Sequence, residues 1–573
     1  MNKILSALIR AQGFHPARQA ECDAACPAQA QRDCLRRILR KNARTEYGLR
    51  YGFGTVRGAA DFATRVPVVE YRDLEADIER MKQGAANVLT AEPTLRFSLT
   101  SGTSSKPKFI PCTRSGQKRT RQLMTQWFYR ALHDHPTLFD KGVLDITGSP
   151  IEGRCDCGIP YGSASGMIQA TMPLVMRRTF CTPPEVAQIM DYELRYYAIA
   201  RFAYAKELSF IGTPNPLTLV KLAATGARRA EEIIRCVHNG WFSESLRSQR
   251  AYMAAGIAPA VKRALCPDKT RARFLAEILA ATGTLHPRDC WPDLALIGCW
   301  LGSSIGFHAS ALSASYGDIP RRDLGYMASE GSITTPMADA TSAGLLALRN
   351  HYYEFIPQTS DDAAPTAILG AHELEAGRCY RILLTNDNGL YRYDINDIIR
   401  AEGFHKHTPL ISFVRKSGTM TNIVGEKLHL NHVLYAMEHL QSRYALGIRQ
   451  FRAAADIAMR RYDVFLDLPL DCPADFLRNA LLPALDGALC ECNIEYASKR
   501  GSGRLQPPRI HLMAEGWQHA AQLAHASFAQ RDTQYKWLPL VPEILAVDRR
   551  CIKLTVEAGT AAYPIPHSEP SSK

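Results

Sequence analysis

Ser98-Leu-Thr-Ser-Gly-Thr-Ser-Ser-Lys-Pro-Lys108 is the stretch whose reading decides the fold. Six of its eleven residues carry hydroxyls, two are lysine and one is glycine. Upstream, Leu95, Phe97 and Leu99 alternate with Arg96 and Ser98, so a strand runs into it. Downstream, Leu123, Met124, Trp127, Phe128, Ala131 and Leu132 recur at helical spacing, with Thr113 or Ser115 placed to cap. The expectation is strand, loop, helix. Such a loop suits phosphate: glycine lets the backbone approach, hydroxyls and N–H groups donate, and lysine neutralises charge. It lacks the G-x-x-x-x-G-K-[ST] spacing of a Walker A loop. The same composition also suits a polar surface loop, so the rest of the chain must decide.

At 573 residues the chain is too long for one ordinary core, and two or three domains are expected. Its 46% hydrophobic and 22% charged residues are those of a soluble globular protein. The net charge of +13 favours anionic ligands such as nucleotides. Its densest cluster, Arg32, Arg36, Arg37, Arg40, Lys41 and Arg44, reads as the solvated face of a helix, not as a nucleic-acid site. The sixteen cysteines form no C-x-x-C pair, and Cys155/Cys157 and Cys490/Cys492 lack a second ligand pair at zinc spacing. A reduced, cytoplasmic setting is expected. The apolar run Ile4–Ile9 is too short for a leader, and no stretch reaches membrane-spanning length.

Along the chain, residues 28–44 read as an amphipathic helix, and Val143–Ile146 and Leu294–Trp300 as buried strands. Helical patterns dominate from Pro184 to about Thr282. Gly302-Ser-Ser-Ile-Gly306 formally matches the G-x-S-x-G turn of serine hydrolases, with Ser304 as nucleophile; small residues also suit any ligand-facing turn. From residue 323, β-branched and aromatic runs indicate sheet or barrel structure. Arg415-Lys-Ser-Gly418 is the expected hinge. Beyond it an α+β domain is expected, with helices at Leu430–Gln441, Ala474–Leu482 and Trp517–Phe528 and strands at Tyr462–Leu468, Asn493–Tyr496 and Arg509–Met513. The fold class is α/β, with a large N-terminal domain over 1–415, a mobile C-terminal domain over 419–558, and a disordered tail over 559–573.

Taken in order, the motifs resemble the acyl acid–amido synthetases of the plant auxin-responsive Gretchen Hagen family and their bacterial relatives, within the acyl-adenylate-forming superfamily. Asn42-Ala-Arg-Thr-Glu-Tyr-Gly48 is similar to the family's N-terminal segment, Thr100-Ser-Gly-Thr-Ser104 to its first nucleotide motif and Tyr326-Met-Ala-Ser-Glu330 to its second. Tyr391-Arg-Tyr-Asp-Ile-Asn-Asp397 resembles the third, and Gly425-Glu-Lys427 the acidic–lysine segment past the hinge. The chain departs from the pattern at Ser105-Lys106, where a second glycine is expected. It departs again at Asp394 and Asn396, where the plant enzymes have arginine and glycine.

The resemblance implies ATP-dependent activation of a carboxylic acid, followed by amide formation with an amine, usually an amino acid. The alternative acceptor is a thiol of coenzyme A or a carrier protein. ATP and Mg²⁺ are the implied cofactors, small acids and amines the partners, with no nucleic acid or membrane. By resemblance Ser101, Thr103 and Ser104 hold phosphate oxygens, Thr100 and Gly102 belong to the same nucleotide-binding motif, and Lys106 or Lys108 supplies charge. Glu330, with Ser329 beside it, holds Mg²⁺, a hard cation that prefers oxygen. Tyr326 or Tyr391 flanks adenine, Asp397 accepts both ribose hydroxyls, and Arg415 joins the nucleotide contacts at the hinge. Lys427 stabilises charge developing on the α-phosphate. Lys536 resembles a C-terminal family lysine without its usual following arginine.

Overall fold

The computed structural model describes residues 2–100, 108–189, 191–243, 257–302, 309–358, 368–416, 420–468, 472–524 and 537–558. These divide into two compact units, one running to Val414 and one beginning at Arg415.

The first unit opens with the helix Asn2–Ala25, which carries Pro16 inside it, followed by Pro27–Asn42. In the second helix Leu35, Ile38 and Leu39 are buried, as the spacing predicts. The arginine face is not uniformly solvated. Arg37 bonds the buried carboxylate of Asp387 at 2.7 and 2.5 Å, and Lys41 lies 2.7 Å from Glu92. An i, i+4 pattern identifies one face of a helix but not a buried partner some 350 residues away in the chain.

Three sheets of four or more strands follow, besides the short pair Met327–Ala328 and Gly331–Ser332. One is fully parallel, in the order Gly142–Asp145, Leu208–Gly212, Leu296–Gly298, Arg321–Arg322. Helices rich in Leu, Ile and Tyr, among them Tyr192–Tyr204 and Leu217–Arg228, supply its apolar covering. This is the α/β part of the fold. The second sheet has four strands, Lys108–Cys112, Arg96–Thr100, Pro160–Gly162 and Gly153–Arg154. The third has six, in the order Thr334–Pro336, Gly344–Leu346, Thr408–Lys416, Tyr393–His405, Cys379–Asn386, His351–Pro357.

The long helix Arg114–Asp134 joins these layers. Trp127 and Phe128 pack against Phe210 of the parallel sheet, with ring centroids 5.8 and 6.0 Å apart, and Trp127 Nε1 donates to the Asp323 carbonyl at 2.8 Å. At the helix end, Arg322 donates to Asp134 and Asp339, each at 2.6 Å.

The second unit is built on a five-stranded sheet, in the order Leu540–Val541, Gln450–Asp456, Arg461–Asp467, Arg509–Met513, Ile552–Glu557. Its helices include Leu430–Tyr444 and Leu482–Cys492. The segment expected as a strand at Asn493–Tyr496 is instead the start of the helix Ile494–Gly501. Asn493 caps it by accepting from Tyr496 N–H, which outweighs the β-propensity of Ile494 and Tyr496. The helix from Trp517 is described to Leu523, and the remainder of the expected span and the tail from 559 lie outside the described residues.

Two consequences are measurable. Phe210→Ala leaves a cavity between helix and sheet and is expected to lower stability by about 3–5 kcal/mol in chemical denaturation. Burial pushes the Asp145 carboxyl up to about 7. The native state therefore holds a proton that the unfolded chain releases near ~4, and this residue's contribution to stability falls as pH rises from about 4 to 7. Asp145→Asn is expected to remove that slope, so urea midpoints of variant and wild type diverge most above pH 7 in the variant's favour.

Candidate active site

The strand Arg96–Thr100 does not pass through its loop directly into a helix. Thr100 pairs with Lys108, and a second strand, Lys108–Cys112, runs back antiparallel before the helix begins at Arg114. Phe109 and Ile110 explain this: Ile110 is buried, and the Phe109 ring meets Tyr161 at 5.2 Å and Phe97 at 6.1 Å. Pro111 is tolerated because the strand is an edge. The strand is thus followed by a second strand and not by the helix, whose N-terminus belongs to Thr113, with its hydroxyl accepting from Gly116 N–H. Ser101, Gly102, Thr103, Ser104 and Lys106 lie outside the described residues. Thr100 ends the first strand, and Lys108 stands opposite it with its ammonium 5.6 Å from the Tyr71 ring centroid.

The end of that strand meets the second motif. Ser329 Oγ donates to the Leu99 carbonyl at 3.4 Å. Tyr326 is buried, its N–H donates to Thr334 Oγ1 at 2.9 Å, and its ring lies 5.7 Å from Phe413. The Tyr326 hydroxyl donates to Asp397 Oδ2 at 2.5 Å, joining the second motif to the third. Burial, then the charges of Asp397 and Glu330, raise the Tyr326 phenol well above its ordinary value, so it remains the proton donor of this pair. The two-oxygen role expected of Asp397 narrows accordingly. Oδ2 already serves Tyr326, so any further donor at that oxygen must share it with the phenol or displace it.

Glu330 is buried beside the Tyr326 and Tyr393 phenols. Its carbonyl accepts from Asn386 Nδ2 at 2.9 Å. One carboxylate suits Mg²⁺, which takes one or two protein carboxylates and completes its shell with water and substrate phosphates.

Tyr391 is a correction. It is wholly buried, stacked on Tyr47 at 4.9 Å and edge-on to Phe53, with its hydroxyl donating to the Leu89 carbonyl at 2.7 Å. Both its ring and its polar tip are engaged in the core, so it has no face for adenine. The next residue, Arg392, takes a positive φ of 46° and is buried on Glu354, with further bonds to the Ala63 and Val66 carbonyls. Asn396 also lies in the left-handed region, at φ 58°. The departure from glycine is therefore conformationally conservative, since asparagine tolerates this region better than most residues. Asp394 holds the bulge by accepting from Asn396 N–H at 2.7 Å and facing Arg381 at 3.2 Å.

Sequence reasoning missed Asn386-Asp387-Asn388. Asn386 bonds the Glu330 carbonyl, Asn388 Oδ1 accepts from Thr113 N–H at 3.0 Å, and Asp387 takes Arg37. Three short polar residues before Gly389 signal a turn, but not its three distant partners.

In the second unit, Glu426 is wholly buried and accepts from Ile423 and Val424 N–H at 2.7 and 2.8 Å and from the Tyr462 hydroxyl. It anchors a turn in which Lys427 is exposed at φ 46°. Arg415 donates to the Lys416 carbonyl at 3.2 Å and lies near His429 and His432, helping to hold both imidazoles below their ordinary pKa after burial. Ser304 and Lys536 lie outside the described residues.

Asn396→Gly is expected to leave stability within about 0.5 kcal/mol, whereas Asn396→Val, β-branched at positive φ, should cost about 1–3 kcal/mol by urea denaturation. Removing Arg392 leaves Glu354 buried and unpaired, so Arg392→Ala should cost about 3–5 kcal/mol in the same assay.

Comparison with known proteins agrees with this geometry. Residues 17–321 match the profile of the GH3 family N-terminal domain, 344–416 the GH3 family central domain, and 431–543 the GH3 family C-terminal domain. A jasmonoyl–L-amino acid synthetase of Oryza sativa subsp. japonica is 24% identical over 531 residues, covering 85% of this chain and 88% of that protein. An indole-3-acetic acid-amido synthetase of Arabidopsis thaliana is 24% identical over 447 residues, covering 73% of this chain and 79% of its own length. The solved structure of the acyl acid amido synthetase AtGH3.15 in complex with 2,4-DB superposes with a TM-score of 0.82 over 95% of this chain and 97% of that one, at 17% identity. The three profiles together span nearly the whole described chain, and this protein belongs to the GH3 family.

Proposed function

We propose that this protein activates a carboxylic acid with ATP as an acyl-adenylate, releasing pyrophosphate, and then joins the acyl group to the amine of an amino acid with loss of AMP. The observation that carries this reading is the bond between Tyr326 and Asp397, backed by the Ser329–Leu99 contact. These contacts join the strand end that leads into the first motif to the second motif, 230 residues on, and the second to the third, a further 71 residues along. Relatives named as jasmonoyl-amino acid and indole-3-acetic acid-amido synthetases support the same class.

Asp397 orients the ribose, and Tyr326 keeps that carboxylate fixed through its hydrogen bond. Glu330 would hold Mg²⁺, which when bound supplies charge neutralisation across the phosphates. Lys427 supplies positive charge to the α-phosphate. The amine step needs no strong base. A free α-amino group titrates near ~8, so about a tenth is already neutral at pH 7, and positioning carries much of the rate. Sixteen cysteines with no C-x-x-C pair suit a reducing, cytoplasmic setting. No helix among the described residues is long and apolar enough to cross a membrane.

ATP–pyrophosphate exchange across a panel of carboxylic acids tests the proposal. Exchange is expected only when an acid is present. Glu330→Gln and Asp397→Ala should each reduce it by about a hundredfold, on the scale of losing one positioned charge. Acid-independent exchange would refute the activity, and full exchange in both variants would refute the site.

A further inference from the structure

We infer that the first unit contains a second small-molecule site, a cavity beneath the N-terminal helix that takes a small organic anion with Arg119 as its anchor. The cavity has a volume of about 340 Å³, within the range of ligand pockets. It is walled by the helices Asn2–Ala25 and Arg114–Asp134 and by the strand pair Thr334–Pro336 and Gly344–Leu346.

Its charge is unbalanced at one residue. Two other guanidiniums on its wall hold a carboxylate at close range: Arg349 bonds Asp23 at 2.6 and 2.8 Å, and Arg130 bonds Glu21 at 2.9 Å, which it shares with His405 and Lys406. Arg119 is matched poorly. Its hydrogen bond runs to Gln122 Oε1 at 3.3 Å, and it comes no nearer to Asp387 than 3.9 Å. That carboxylate is already taken by Arg37 and also faces Lys41 at 3.8 Å. Glu92 serves Lys41 at 2.7 Å. Three cations therefore share two carboxylates, and the excess charge falls on the arginine that lines the cavity. Arg119 is only 23% exposed, and burial together with Arg37 holds its pKa below the ordinary arginine value, the response of a cation short of counter-charge.

The remaining lining defines the ligand. Leu123, Leu345 and Leu348 give apolar wall, while Gln122 and Gln126 add amide groups. A planar guanidinium beside an aliphatic wall selects a carboxylate or sulfonate carrying an apolar body. The site is separate from the one described above. Thr334 accepts from Tyr326 N–H, and the next residue, Thr335, lines the cavity. Successive strand residues point to opposite faces, so the two sites lie back to back across one strand.

8-Anilinonaphthalene-1-sulfonate is a suitable probe, because a sulfonate with an aromatic body fits this chemistry and is not a carboxylic acid to be activated. Fluorescence titration of the full chain should show one saturable site. Arg119→Gln should weaken binding at least tenfold, and Ala20→Phe, which fills the cavity from the N-terminal helix, should abolish it. Both variants should keep their melting temperature and acid-dependent pyrophosphate exchange within about twofold of wild type. Absence of saturable binding to the wild type, or equal binding by all three proteins, would overturn the inference.

Discussion

The turn Asn386-Asp387-Asn388 is the constraint on which the rest of the first unit depends. Its three side chains reach three separate parts of the chain. Asn386 holds the Glu330 carbonyl, Asn388 holds the start of the helix Arg114–Asp134, and Asp387 draws in Arg37 from near the N-terminus. Asp387 and Asn388 are buried, so each bond is made where water cannot replace it, and leaving a partner unpaired there costs the full desolvation penalty. The helix Arg114–Asp134 is thereby held at its first residues by this turn and at its far end by Arg322.

The third motif shows how backbone conformation and chemistry are linked. Asp397 meets Tyr326 just past a β-bulge in the strand Tyr393–His405, where Asn396 takes a positive φ, as does Arg392 just ahead of the strand. Such positions are strained for most side chains and persist only where neighbours enforce them. Arg392 is enforced by Glu354 and two carbonyls, and Asn396 by Asp394. In this motif the residues that differ from the plant pattern, Asp394 and Asn396, are therefore the ones shaping the bulge, while the carboxylate that follows is unchanged.

Much of this was legible in the residues. The helix at Pro27–Asn42 and the buried strands follow from periodicity, while the contact of Tyr326 with Asp397 agrees with what the family resemblance implies. Other features were not, for identifiable reasons. Phe109 and Ile110 extend a strand through long-range ring contacts that local pattern does not carry. Tyr391 alternates with Tyr393 as a ligand-facing pair would, yet Tyr47 covers its ring. Asn493 converts an expected strand into a helix through one capping bond. The Asn386–Asn388 turn was visible as a turn and invisible as a junction, because its partners lie far away in sequence.

The central claim is that a carboxylate oxygen attacks the α-phosphate of ATP. It is tested most directly by supplying the acid that best supports exchange with ¹⁸O in its carboxyl group, adding the amine acceptor, and weighing the products by mass spectrometry. An acyl-adenylate route leaves one labelled oxygen in AMP and none in inorganic phosphate or pyrophosphate. Unlabelled AMP, or label in inorganic phosphate, would contradict it.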